Sequence, residues 1–325
     1  AATRPSCSAS SRARVPAADE SFTVDGAARL RRIDRYLADQ GALGSRARVQ
    51  RLIAAGLVRV DGVVVAADTS VRPGQVITVS GRLAEEAPRV AVAEALPLTI
   101  LYEDDAILVV DKPAGMVVHP AAGNVAGTLV AAVLHHWRGP RPGLDPLRPG
   151  LVHRLDKDTS GVVVIAGNAT VLADLAAQFR ARTVVKEYLA VVWGRPAPAA
   201  GTVDAPLGRH PVDRKRMAVR DDGRPALTRY EVVTSGAGMS VVRAWPKTGR
   251  THQIRVHLAT LGTPIVGDAV YGGRRREGAP AGLARQALHA RRLTLRHPET
   301  GATMTFEAPL PEDLVRLVAH VGAET

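Results

Sequence analysis

A polar turn running directly into a solid β-branched strand constrains this chain more than any other stretch. It reads Gly150-Leu151-Val152-His153-Arg154-Leu155-Asp156-Lys157-Asp158-Thr159-Ser160-Gly161, followed by Val162 to Ile165. Gly, Asp, Thr and Ser together are turn chemistry, so Asp156 is placed on a loop edge rather than inside an element. The run of β-branched residues after it reads as a strand. Taken alone, the same residues also fit an ordinary turn carrying a solvated Arg154–Asp156 charge pair.

The chain has 325 residues, enough for two domains, one of them large enough to bury a substantial core. Aromatics make up only 3% of it, so Val, Leu and Ala must build that core. A formal net charge of +12 points to a polyanionic partner, nucleic acid before membrane. The lone cysteine, Cys7, excludes a disulfide framework and a cysteine-based zinc site, and fits a reducing, cytoplasmic compartment. No stretch approaches the roughly 18 apolar residues of a membrane span. Metal and cofactor patterns are also missing: no HExxH, CxxC, GxxxxGK[ST] or post-strand GxGxxG occurs. His252 and His257 are five apart, on different faces of a helix. No metal and no cofactor are expected.

Residues 1–27 are rich in Ala, Ser and Arg without apolar periodicity and read as a disordered extension. Leu30, Ile33 and Leu37 form a helical stripe ending near Gly41. Ser45 can cap a second helix with Val49, Leu52 and Ile53 on its apolar side and Arg46, Arg48 and Arg51 elsewhere. Gly56 closes it. Leu57–Val60, Asp61-Gly62 and Val63–Val65 predict a hairpin with a type I′ turn, and Val76–Val79 a further strand. Two short helices and a small basic hairpin resemble an S4 RNA-binding domain over 28–80. Residues 81–97, with Pro88 and no periodicity, read as a linker.

The main body, 98–325, is strand-rich. Leu98, Ile100 and Tyr102 alternate, Ile107–Val110 runs back, and Asp111-Lys112-Pro113-Ala114-Gly115 reads as a turn. Thr128–His136 suggests a helix, and Asn168 caps another. In the strand near Val184–Trp193, alternation puts Lys186, Tyr188 and Ala190 on one face. Arg214-Lys215-Arg216 forms a basic loop suited to phosphate contact. A second polar stretch runs Lys247-Thr248-Gly249-Arg250-Thr251-His252-Gln253-Ile254-Arg255-Val256-His257-Leu258, with Thr251 the expected N-cap and Arg255 one step off the buried stripe.

His153 to Gly161 resembles the HRLDxxTSG signature of the RluA/RluD-type RNA pseudouridine synthases. Lys186-Glu187-Tyr188, Gly249 to His257, and Gln286-Ala287-Leu288-His289-Ala290 match that family's remaining motifs in order. With the S4-like module in front, the likeness is greatest to the RluD type and spans roughly 29–320. It implies an α+β catalytic domain built on a mixed, mainly antiparallel sheet with flanking helices and a central cleft. It further implies isomerisation of uridine to pseudouridine in structured RNA, large-subunit ribosomal RNA or its precursor particle, by a cofactor-free monomer. By family match Asp156 is the catalyst, Arg255 its partner, Tyr188 the surface on which the base stacks, Leu288 a pocket wall and Arg154 the side chain that fills the flipped base's place. Arg46, Arg48, Arg51, Arg214, Lys215, Arg216 and Arg250 are the expected RNA contacts. Two other readings stay open: a non-catalytic RNA-binding factor, and an unrelated hydrolase using His153 and Asp156 as a dyad.

Overall fold

The computed structural model describes all residues except 1–19, 26–30, 41–42, 44–45, 81–90, 121–125, 140, 142, 146–147, 214–215, 273–282 and 323–325. The chain divides into two compact units, 1–89 and 90–325.

In the first unit, β1 (Glu20–Thr23), β2 (Arg31–Arg32), α1 (Ile33–Asp39), α2 (Arg46–Ala54), β3 (Val58–Val60), β4 (Val63–Val64), β5 (Ser70–Val71) and β6 (Val76–Val79) follow in order. Four strands make a sheet in the order β1-β6-β3-β4, and β2 pairs with β5. The hairpin forms as its turn residues require: Asp61 and Gly62 take φ of 49° and 80° between β3 and β4. Ile33, Leu37, Val49, Leu52, Val58 and Ile77 close the core. Asp34 is fully buried and accepts from Arg32, Gln50 and Arg46, the last at 2.7 Å, so one carboxylate ties α1 to α2. The disordered extension is corrected at its end, because Glu20–Thr23 pairs antiparallel with β6 and is held by its backbone. Its other residues up to 19, and Ser45, lie outside the described residues.

The second unit holds β7 (Thr99–Glu103), β8 (Ile107–Lys112), α3 (Leu129–His136), β9 (Ser160–Ala166), α4 (Ala169–Ala181), β10 (Val185–Trp193), β11 (Ala200–Asp204), β12 (Leu207–Arg209), β13 (Met217–Val219), β14 (Leu227–Gly236), β15 (Met239–Pro246), α5 (Gln253–Thr260), β16 (Leu288–Arg296), β17 (Thr303–Glu307) and α6 (Glu312–Gly322). A nine-stranded sheet runs β11-β14-β15-β10-β16-β9-β8-β7, with β17 added on β16. Every ladder in it is antiparallel except β9 with β16, so the expected mixed, mainly antiparallel sheet is what forms. The β-branched run forms the expected strand, and every residue of β9 is buried, which the sequence alone did not specify. Val162 and Val164 pack toward α4, Val163 and Ile165 toward α3. Thr128 and Asn168 cap α3 and α4 through bonds from Ala131 and Val171.

Strand β16 is where the sheet forks. His289 and Ala290 pair in parallel with Ser160 and Gly161, and from Arg292 onward the same edge pairs with β17. The parallel join is tight. A Cβ on Gly161, at φ +118°, would lie 2.2 Å from the Ala290 carbonyl oxygen. A Gly161→Ala variant is therefore expected to lose about 3 kcal/mol or more, read as a lowered urea midpoint at unchanged m. Wild-type stability in that variant would refute the close-approach argument.

Three other expectations shift. Asp111 and Lys112 belong to β8 rather than a turn, because the buried Lys112 ammonium finds three carbonyls, of Pro113, Met116 and Lys157, at 2.7, 2.9 and 3.0 Å. Of the linker, 81–90 lies outside the described residues, but Ala91 packs on Val130 and Leu134, and the Glu94 amide donates to Ala131. The reason is that α3 is apolar all round and needs cover on each side. Thr251 does not cap α5. His252 occupies the N-cap with φ 55°, and the Gln253 side chain accepts from the Arg250 amide and Thr248 hydroxyl instead.

Candidate active site

The loop between Gly150 and β9 is fastened from several directions. The Thr159 amide donates to the Asp156 carbonyl, closing a turn. Gln286 donates to Thr159, and the Ser160 hydroxyl meets His289 Nδ1 at 2.9 Å. His289 Nε2 lies 3.2 Å from the Ala308 carbonyl, so it carries the proton and Nδ1 accepts from Ser160. Burial pushes the His289 pKa down to about 4, which keeps that ring neutral. Arg285, paired with Asp313 at 2.7 Å, reaches the carbonyls of Asp158 and Leu288. On the other side, Lys112 grips the Lys157 carbonyl. Asp156 thus sits on a loop with little freedom to relax.

Its carboxylate faces Arg255, whose Nη1 donates to Asp156 Oδ2 at 3.1 Å. Arg255 is 5% exposed, not the surface arginine its position beside the stripe also allowed. It is held from behind: Nε and Nη2 donate to Asp268 at 2.7 and 2.9 Å, and the Tyr271 ring centre lies 5.2 Å from its guanidinium carbon. Burial of Arg255 favours the neutral form, but the hydrogen bonds and charge of Asp268, then of Asp156, outweigh it and hold the group charged. Burial likewise raises the Asp268 pKa. Arg255 and the amides of Tyr271 and Val270 more than offset that, leaving it below the ordinary carboxylate value. Asp268 was missed in the sequence. Its only local signal is Gly267-Asp268 ahead of Tyr271-Gly272, a turn composition without chemical distinction.

Tyr188 lies on β10 opposite a bulge in β16, where Glu187 pairs with Arg292 and Tyr188 with Ala290, so that Arg291 is the skipped residue and β10 keeps its alternation. Burial, then the charge of Asp156, raises its hydroxyl pKa, so it stays protonated. Asp156, Tyr188, Arg255, Leu288, exposed Arg154 and Arg250 line one cavity of about 590 Å³. Arg250 also donates to the Pro225 carbonyl at 3.0 Å. Arg46 is engaged with Asp34, while α2 also carries Arg48 and Arg51. Arg216 lies over the Tyr271 ring, and Arg214 and Lys215 are outside the described residues.

His153 cannot serve Asp156 as a dyad partner. Its Nε2 accepts from the Val164 amide at 3.0 Å, and its ring stacks on Phe179 at 4.9 Å. Burial, then the Lys186 charge, lowers its pKa to about 3, so it is a neutral structural acceptor. His257 is similarly spent on Thr228 and Ala205, and His252 on the Tyr271 hydroxyl. Among the described residues, no group of three or more metal-ligating side chains comes together. No described helix is long and apolar enough to cross a membrane.

An aspartate bonded to a buried arginine thus shares one cavity with a tyrosine and several cationic side chains. Residues 106–260 match the RNA pseudouridylate synthase family and residues 31–77 the S4 domain. The chain is 45% identical over 311 residues to ribosomal large subunit pseudouridine synthase D of Xanthomonas campestris pv. campestris, covering 93% of this chain and 92% of that one. It is 43% identical over 317 residues to the protein of the same name from Pseudomonas aeruginosa, covering 93% and 94%. The solved structure of human RNA pseudouridylate synthase domain containing 4 superimposes with a TM-score of 0.53 at 30% identity, over 69% of this chain and 93% of that one. The chain belongs to the RNA pseudouridine synthase family: it is an isomerase acting on RNA, with an S4 RNA-binding domain in its first unit.

Proposed function

We propose that this enzyme isomerises uridines of large-subunit ribosomal RNA, with Asp156 as the catalytic group. The observation carrying the second half is the Asp156–Arg255–Asp268 chain beside Tyr188, all in or behind one cavity. Forming pseudouridine breaks the N1–C1′ bond, turns the freed base and joins C5 to C1′. The C5 proton leaves and N1 gains one, so atoms balance without any redox partner. The step calls for a carboxylate at the sugar–base junction, and Asp156 presents one to the cavity beside the Arg255 guanidinium. Arg255 has a second anion, Asp268, so its positive charge is not consumed by Asp156 alone.

A stacked base must first leave the RNA helix, at a cost of a few kcal/mol. Arg154, exposed at the cavity, is available to occupy its place, and Tyr188 offers an aromatic face to the extruded base. Large-subunit ribosomal RNA is preferred among RNAs because the relatives bearing that name align over nearly their whole length. The test is to map pseudouridines in ribosomal RNA from cells lacking the protein, then add the purified wild-type chain. Particular large-subunit sites should be unmodified in the former and restored by the latter. A complete modification pattern without the protein would refute the assignment.

A further inference from the structure

The geometry points to a phosphate subsite at Lys186, which would take a backbone phosphate beside the target uridine, flanked by Arg182 and Lys247. This rests on reading the cavity as an RNA pocket and names what holds the nucleotide there.

Lys186 is two residues before Tyr188 on β10, hence on the same face and roughly 6.5 Å along the strand. Both side chains line the cavity. Its ammonium has three protons to donate, yet its hydrogen bond goes to the Thr248 carbonyl, at 3.2 Å. Among the described residues no carboxylate lies within ion-pair distance of it. That is unusual for a half-buried lysine, which costs free energy unless matched by an anion. Its neighbours make matters worse. Arg182, held at φ 60° just beyond α4, and Lys247, just beyond β15, both repel it. His153 on the facing loop is neutral and Tyr188 beside it is protonated, so neither supplies the missing charge. Burial, then Arg182 and Lys247, pull the Lys186 pKa down to about 8. Three cations converge on a cavity whose lining carboxylate, Asp156, is bonded to Arg255, and an anion brought by the substrate matches them. A base resting on Tyr188 carries its phosphates outward along the same strand face.

The test uses the full chain and a fluorescein-labelled transcript of large-subunit ribosomal RNA. Affinity is measured against salt and pH for wild type, Lys186→Met, Lys186→Arg and, as a remote basic control, Arg316→Ala on α6. Folding of each is checked by thermal unfolding. One lost phosphate contact should flatten the log–log salt slope of Lys186→Met by about one, with Lys186→Arg and Arg316→Ala unchanged. The cationic form makes the contact, so wild-type affinity should fall as pH rises past about 8. Lys186→Arg should lack that fall, which a purely structural lysine would not produce. A wild-type slope in Lys186→Met, or a persisting fall in Lys186→Arg, overturns the subsite. Because the readout is binding, an enzyme that forms no pseudouridine on this RNA but shows the slope change would refute the proposed function and leave the subsite standing.

Discussion

An Asp156→Asn variant is expected to fold and bind ribosomal RNA like wild type while forming product at least about 10³-fold more slowly. The substitution keeps the shape of the side chain and removes its charge and basicity. Stability should change by only about 1 kcal/mol, since the amide oxygen can still accept from Arg255. Arg255 also keeps its buried partner Asp268. The loop itself is held by bonds from Thr159, Ser160 and Lys112 that do not involve the Asp156 carboxylate. Site-specific detection of pseudouridine, alongside RNA affinity and a melting curve, separates the effects. Product at a rate within tenfold of wild type would remove Asp156 from the chemistry.

Asp268→Asn is expected to damage both stability and rate, although Asp268 is not in the cavity lining. The residue is fully buried and accepts two hydrogen bonds from Arg255. Removing one partner of a buried ion pair costs about 3–5 kcal/mol when the other charge is left stranded, and the remaining pair with Asp156 holds the loss toward the lower end of that range. For a unit of this size that lowers the melting temperature on the order of 10 °C. Arg255 would then have Asp156 as its one anion, and its fork could swing to hold both of that carboxylate's oxygens. Such displacement at a reacting group typically costs about 10²-fold in rate. Turnover measured well below the transition, together with the melting curve, distinguishes loss of fold from loss of alignment. A variant with normal turnover and melting would show that Asp268 does not hold Arg255 in place.

What was legible in the sequence was local. Val162–Ile165 announced β9, Thr128 and Asn168 their helices, and Asp61-Gly62 its hairpin, because each signal lies within a few residues of its effect. Lys112 looked like turn chemistry because its three carbonyl partners include one 45 residues away. Thr251 looked like a cap because nothing local shows that Gln253 satisfies the helix entry instead. Glu20–Thr23 has no apolar stripe; its strand comes from pairing with β6. Within the site, Asp156 and Arg255 are 99 residues apart, so their meeting was accessible through resemblance rather than through spacing. Asp268 had neither route. Its role comes entirely from the side chain it supports.

The fork in β16 assigns the working parts to two plates. Asp156 and Arg154 precede β9 on one plate, while Tyr188, Leu288 and Arg255 belong to the β10, β16 and α5 side of the other. Only two residue pairs of parallel ladder join the plates, at Ser160–His289 and Gly161–Ala290. The separation of Asp156 from Tyr188 is therefore set in part by main chain against main chain at Gly161, beside the side-chain bonds of Gln286 to Thr159 and Ser160 to His289 across the same join. At Gly161 substitution cannot adjust the join in small steps, because the atoms that an added Cβ would meet are backbone.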